Sequence, residues 1–190
     1  MNRVLYMLHK PFGILSQHTD EGSRKGWGSL NPPFGSDVYS IGRLDADSEG
    51  LLLFTNDNRL KTNLLDPSKG HLRTYHAQVE GVASIEQIDE LQRPMTLRIK
   101  GKSFKTRGCS ARSIDAIWPD RNPPIRVRNT VPDSWVEISL DEGKNRQVRR
   151  MTAAVGLPTL RLIRVAMATW TLGDLMPGEW KKLELPNRLS

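Results

Sequence analysis

Short apolar runs set between turn-forming residues give this chain its rhythm. Residues 3–9 read as a strand that stops at "HKPFG", where Pro11 and Gly13 signal a turn. Residues 16–37 are polar, rich in Gly and Pro and without periodicity, which predicts a long loop, mobile or ordered by a ligand. "VYSI" at 38–41 and "LLLFT" at 51–55 predict short strands, and "NDNRLKTNLLDP" predicts a helix of about two turns ended by Pro67. "YHAQVEG" alternates like a strand. "SIEQIDELQ" opens with Ser84 and Gln87 at capping-box spacing and sets Ile85, Ile88 and Leu91 on one helical face.

Residues 95–118 predict strand-like pieces with basic turns, and "RNPPIRVRNTVP" an extended proline-rich linker before the strand "SWVEISL". In "NRQVRRMTAAVG", Val148, Met151, Thr152 and Val155 share a helical face, with Gly156 and Pro158 as the stop signals. Two or three strands follow around the turns "LGD" and "MPGEW". Helices inserted singly among short strands predict an α+β fold with a mixed, mainly antiparallel central sheet, flanking helices and two subdomains around a cleft. The 190 residues are expected to form a single domain, its two subdomains sharing one sheet.

Composition narrows the class. No apolar run approaches the roughly 20 residues that a membrane-spanning helix needs. The single cysteine, Cys109, excludes an internal disulfide and a cysteine-based zinc site, and makes the cytoplasm the expected compartment. The net formal charge is +7. Residues 91–130 hold ten Lys or Arg against Asp115 and Asp120, so this segment carries +8 and the remainder −1. Solubilising surfaces interleave both signs, so charge this concentrated points to a polyanion.

The stretch "GRLDADSEGLLLFTND" joins Arg43, Asp45, Asp47 and Glu49 directly to an apolar run, a polar loop pinned to a rigid element. His9, His18, His71 and His76 fall at no metal-ligand spacing, and no Gly-x-Ser-x-Gly elbow is present. Acids two residues apart on one loop do not match the carboxylate pair of a glycosidase. A carboxylate beside a guanidinium, held ionised as a nucleophile or electrostatic stabiliser, fits better. Arg43 lies two residues from Asp45, and Arg146, Arg149 and Arg150 lie opposite the apolar stripe of their predicted helix.

These residues carry a resemblance. "HKPFG", "GRLDADSEGLLLFTND", "RTYHAQVEG", "DEGKNRQVRRMTAAVG" and "LRLIRVAMATWTLGDLMPGEWKKL" resemble, in order and over nearly the whole chain, the RsuA/RluB/RluE/RluF group of RNA pseudouridine synthases. The resemblance implies the pseudouridine synthase catalytic fold. It implies Asp45 as the catalytic aspartate, Tyr75 as the tyrosine that stacks on the target base and takes a proton from carbon 5, and Arg149 as the partner of the aspartate. Leu162 would line the uracil pocket, and Arg43 would take the place of the flipped nucleotide. Arg146, Lys100, Lys102, Lys105 and Arg107 would contact the RNA. The isomerisation is redox-neutral and loses no atom, so neither cofactor nor metal is implied.

Many relatives carry an N-terminal RNA-binding module before "KPxG". That motif starts at Lys10 here, so no such module is expected, although the start alone decides little. "WPDRNPPIRVRNTVPDSW" resembles the RluE branch, whose members act on large-subunit ribosomal RNA. That RNA is therefore the expected partner and a monomer the expected state. A synthase for another ribosomal or transfer RNA uridine, and a noncatalytic RNA-binding or ribosome-assembly module, are the alternatives.

Overall fold

A computed structural model describes residues 2–99, 101–115, 118–125 and 130–186. In chain order the elements are β1 (Leu5–Lys10), a 3-10 turn (Trp27–Leu30), β2 (Tyr39–Ile41), β3 (Glu49–Thr55), α1 (Asn58–Leu65), a second 3-10 turn (Pro67–Lys69), β4 (Arg73–Glu80) and α2 (Ile85–Gln92). Then come β5 (Thr96–Ile99), β6 (Lys102–Lys105), β7 (Ser110–Ile114), β8 (Asp133–Leu140), α3 (Gln147–Ala154), β9 (Thr159–Met167), β10 (Trp170–Thr171) and β11 (Trp180–Leu183). The chain divides into two compact units, Met1–His71 with Arg164–Ser190, and Leu72–Ile163. Strand β9 contributes its first residues to the second unit and its last to the first.

The first unit is built on the strand order β11-β1-β3-β9, with β2 also paired to β3 and β10 to β9. β1 runs antiparallel to β3 with Leu5 opposite Thr55, Leu8 opposite Leu52 and Lys10 opposite Gly50. All seven residues of β3 are buried, which is why its sequence is an unbroken apolar run rather than an alternating one. Gly50 has φ +103°, and a Cβ there would sit 2.3 Å from the Arg164 carbonyl oxygen, so no larger residue fits where β9 passes. Asp57 caps α1 by accepting from the N–H of Arg59 and Leu60, and the helix ends one residue before Asp66-Pro67, as its sequence predicts.

Residues 16–37 differ from their prediction. Trp27 is buried and packs edge-on against Phe54 at 4.9 Å, while Phe34 lies 5.0 Å from Phe54 and 4.6 Å from Tyr6. The polar composition hid two aromatic anchors that fasten the segment to Leu8, Leu52 and Phe54. It is a strap over the sheet.

The second unit has the order β9-β4-β8-β7, and β4, β8 and β7 pair antiparallel. Ala77, Val79, Val136 and Ile138 on one sheet face meet Ile88 and Leu91 of α2 and Val148 and Met151 of α3 in one apolar cluster. The capping box of Ser84 and Gln87 is present. Ile85, expected on the buried face, is 77% exposed; the first turn overhangs the sheet and only Ile88 and Leu91 reach the core. β5 and β6 form a separate two-stranded hairpin.

Candidate active site

In the first unit the segment 10–16 grips the chain on both sides of Asp45. Ser16 Oγ donates to the Leu44 carbonyl and accepts the Leu44 N–H, both at 2.8 Å. On the other side, the Ala46 carbonyl accepts the Gly13 N–H at 2.7 Å and faces Lys10 Nζ at 3.5 Å. Lys10 Nζ also donates to the carbonyls of Pro11 (2.9 Å) and Ile14 (2.6 Å). The Ser48 N–H closes the turn on the Asp45 carbonyl at 3.0 Å, and β3 starts at Glu49. Asp45 is therefore half-buried on a turn whose neighbours are fixed through the backbone, so its carboxylate is presented from a rigid base. Arg43 is exposed beside it.

Lys10 has no solvent exposure. Burial pushes its ammonium down to about 7, against the pull of Glu49, Asp47 and Asp45, with Arg164 adding to the fall.

In the second unit Tyr75, on β4, packs against the apolar cluster that contains Leu162 of β9, which is 5% exposed. Arg149, on α3, donates from Nη1 to the Thr159 carbonyl at the start of β9 at 3.3 Å. Thr152 and Thr159 share a hydroxyl hydrogen bond of 2.7 Å, which fastens α3 to the same strand. Three of the predicted residues thus come together on β4, α3 and β9 of one unit, while Arg43 and Asp45 lie on the other. Arg149 and Arg150 do not share a solvated face: Arg149 turns toward β9, and Arg150 Nη1 donates to the Arg98 carbonyl at 2.9 Å. Arg146 is exposed and opens α3 in the left-handed region, φ 51°. The Gln147 side chain fixes this entry, accepting from the Lys144 N–H and donating to Glu142.

The basic segment is less uniform in space than along the chain. Arg107 pairs with Asp141 at 2.9 Å and Arg112 with Glu137 at 2.8 Å, while Arg121 donates to the carbonyls of Pro123 and Pro124. The acids Glu137 and Asp141 lie on or just after β8, outside residues 91–130. Arg98, Lys102 and Lys105 are exposed on the β5–β6 hairpin, which the Arg150–Arg98 contact and Lys144 over the Phe104 ring (4.9 Å) tie to the entry of α3. Lys100, Arg126 and Arg128 lie outside the described residues.

His76, on the face of β4 opposite Tyr75, is held in a chain of contacts. Trp118 Nε1 donates to His76 Nδ1 at 3.1 Å, His76 Nε2 meets Glu137 at 3.1 Å, and Arg112 holds the other oxygen of Glu137. An indole N–H can only donate, so His76 Nδ1 accepts and Nε2 carries the proton. Burial lowers the His76 pKa below its ordinary value, with Glu137 opposing. Arg161 Nη1 donates to the Pro119 carbonyl at 2.7 Å. The start of the proline-rich insertion is thus anchored at Trp118 and Pro119.

A sequence model of the RNA pseudouridylate synthase family matches residues 4–154. The chain belongs to that family. As a pseudouridine synthase it is an isomerase, and its relatives span most of its length. It is 45% identical over 183 residues to the ribosomal large subunit pseudouridine synthase E of Xanthomonas campestris, covering 94% of each chain. It is 44% identical to the protein of the same name from Vibrio parahaemolyticus, covering 97% of this chain and 75% of the relative. The ribosomal large subunit pseudouridine synthase B of Bacillus subtilis follows at 31%, covering 95% and 68%. Among solved structures, a pseudouridylate synthase superposes with a TM-score of 0.79 at 23% identity, covering 96% of this chain and 71% of the other. The α+β fold expected from the sequence is the fold of this synthase.

Residue types alone did not single out Ser16 or Arg164. Ser16 sits in a stretch with no periodicity. Arg164, 3% exposed, donates from Nε to the Leu51 carbonyl inside the apolar strand it interrupts. A cation inside "LRLIRVAM" was the available signal.

Proposed function

We propose that this synthase converts one uridine of large-subunit ribosomal RNA to pseudouridine in the cytoplasm, with Asp45 as the catalytic carboxylate. The names of the relatives at 44–45% identity support the choice of RNA. The observation that carries the catalytic assignment is the double grip on Leu44 and Ala46, which holds Asp45 in place while its carboxylate stays on a partly open turn. A nucleophile gains most from such restraint, because the entropy of alignment is lost in folding rather than in the reaction.

The target base must leave its stack, at a cost of a few kcal/mol, before any side chain can reach the glycosidic bond. Arg43, exposed beside the turn, would fill the place it leaves. Ionised Asp45 would then assist cleavage of the bond to N1, by attack at the sugar or by abstraction of a sugar proton to give a glycal, and Arg149 is the partner that the family resemblance implies for it. Both routes start from the same carboxylate. Tyr75 would stack on the detached uracil with Leu162 beside it, and take the proton from carbon 5 once that carbon has bonded to the sugar. Arg98, Lys102, Lys105 and Arg146 would hold RNA phosphates, which position the substrate without reading its sequence.

The test combines pseudouridine mapping in total RNA of a deletion strain with Asp45→Asn in vitro. Loss of one large-subunit site in the strain, and lost turnover with retained RNA affinity in the variant, are expected. An unchanged modification map would overturn the RNA assignment, and near wild-type turnover of Asp45→Asn would overturn the catalytic one.

A further inference from the structure

The second unit holds a cavity of about 680 Å³, within the size range of ligand sites, that the isomerisation as proposed does not use. Register explains its walls. His76, Glu137 and Arg112 stand side by side across β4, β8 and β7, and Trp135 stands beside Ile114 two residues along. Asp115, directly after β7, completes the lining with the β4–α2 loop. Some of these groups are already engaged: Glu137 meets His76 with one oxygen and Arg112 Nε with the other, and His76 Nδ1 accepts from Trp118. Others are not. Among the described residues Trp135 has no ring partner and its indole N–H no acceptor, the Asp115 carboxylate has no donor, and Arg112 donates from Nε alone. A tryptophan withdrawn from water usually finds a partner for its N–H, so a half-buried indole lining a cavity without one is a surface kept for something else.

We propose that this cavity is a second RNA-binding site, which takes one unpaired nucleotide other than the target uridine: the base stacks on Trp135, its donor edge meets Asp115, and Arg112 holds its phosphate. Unpaired RNA bases are recognised by stacking on aromatic side chains and by hydrogen bonds to their edges, and a guanidinium fork matches a phosphate. Arg112 is 65% exposed, and Glu137 offsets its charge without covering its terminal nitrogens. The same cation in the wall disfavours a basic peptide, while the family acts on RNA. His76 and Glu137 lie on the sheet face opposite Tyr75, and β7 ends the strand order, so the nucleotide enters at the margin of the sheet and away from the target base. Guanine presents two parallel N–H donors, at N1 and N2, to one carboxylate; uracil presents a single N–H. Guanine is therefore the favoured base. The inference rests on RNA being the substrate and not on the assignment of Asp45.

The experiment titrates the full-length protein with GMP, UMP, inorganic phosphate and a hexa-arginine peptide, following the indole N–H resonance of Trp135 identified from its loss in Trp135→Phe. GMP should move that resonance, at a concentration about 5- to 150-fold below UMP, the discrimination of a good bidentate pair, and phosphate should not move it. Asp115→Asn, an exposed position that leaves the core untouched, should remove the preference for GMP. With a hairpin RNA carrying the mapped uridine, Trp135→Leu should raise KM by about 5- to 150-fold, the value of one stacked base, with kcat retained. If Trp135→Leu does not fold by circular dichroism, the titrations of the wild type and Asp115→Asn decide. An unmoved Trp135 resonance with GMP, a response to hexa-arginine in its place, or equal responses to GMP and UMP overturns the proposal. If Trp135→Leu keeps the wild-type KM while Asp45→Asn is inactive, only this inference falls; if the modification map is unchanged in the deletion strain, the RNA assignment falls, while the GMP titration still decides whether the cavity binds a nucleotide.

Discussion

Replacing Lys10 by Met should change how stability depends on pH. The folded protein lowers this ammonium from 10.5 to about 7, a gap of roughly 3.5 pH units, worth about 5 kcal/mol at about 1.4 kcal/mol per unit. Between those two values the unfolded chain holds the proton and the folded chain has released it. Unfolding then takes up a proton, so wild-type stability rises with pH across the window and is flat below about 7. Lys10→Met has no such proton. Its offset at neutral pH depends on carbonyls left unmatched against a buried charge removed, two effects of opposite sign. The slope does not depend on that offset. Urea unfolding of both proteins at pH 6.5, 7.5, 8.5 and 9.5 should show the wild type gaining about 3 kcal/mol on the variant over two units above pH 7. A constant difference would mean that Lys10 keeps its ordinary proton affinity, and the burial argument would be wrong.

Three further outcomes follow from particular side chains. Trp27→Ala should cost about 3–5 kcal/mol by chemical denaturation, as for a buried core aromatic; a loss below about 1 kcal/mol would return residues 16–37 to the status of an ordinary surface loop. Neutralising Arg98, Lys102 and Lys105 together should lower the slope of log affinity for RNA against log salt by about 0.7–0.9 for each phosphate no longer neutralised, whereas Arg107→Ala, whose guanidinium is occupied by Asp141, should change it far less. Equal effects would show that the hairpin does not hold the phosphates. Acid should release Trp118, because a proton on His76 Nδ1 faces the indole N–H. The His76 pKa is lowered on folding, so the unfolded chain binds the proton more readily and stability falls as pH drops below the ordinary histidine value. The Trp118 indole resonance should shift in that range, and an unmoved resonance down to pH 5 would refute the assigned tautomer.

The sequence alone settled what local spacing controls. Pro67 after α1, the Ser84–Gln87 box and Gly156 after α3 are short-range hydrogen-bonding and backbone rules, and each stands where its spacing put it. The family was legible too, because "GRLDADSEGLLLFTND" and "NRQVRRM" are long enough to be specific. Tertiary structure decided the rest, since it depends on residues far apart in the chain. Trp27 and Phe34 looked like loop residues until Phe54, twenty or more positions away, was placed beside them. A charge of +8 counted over residues 91–130 shrinks where β8 brings Glu137 and Asp141 against Arg112 and Arg107. Lys10 reads in sequence as the start of a turn. In the fold it is a charge sealed between β1, β3 and the turn that holds Asp45, and only burial could give it a proton affinity that matters at neutral pH.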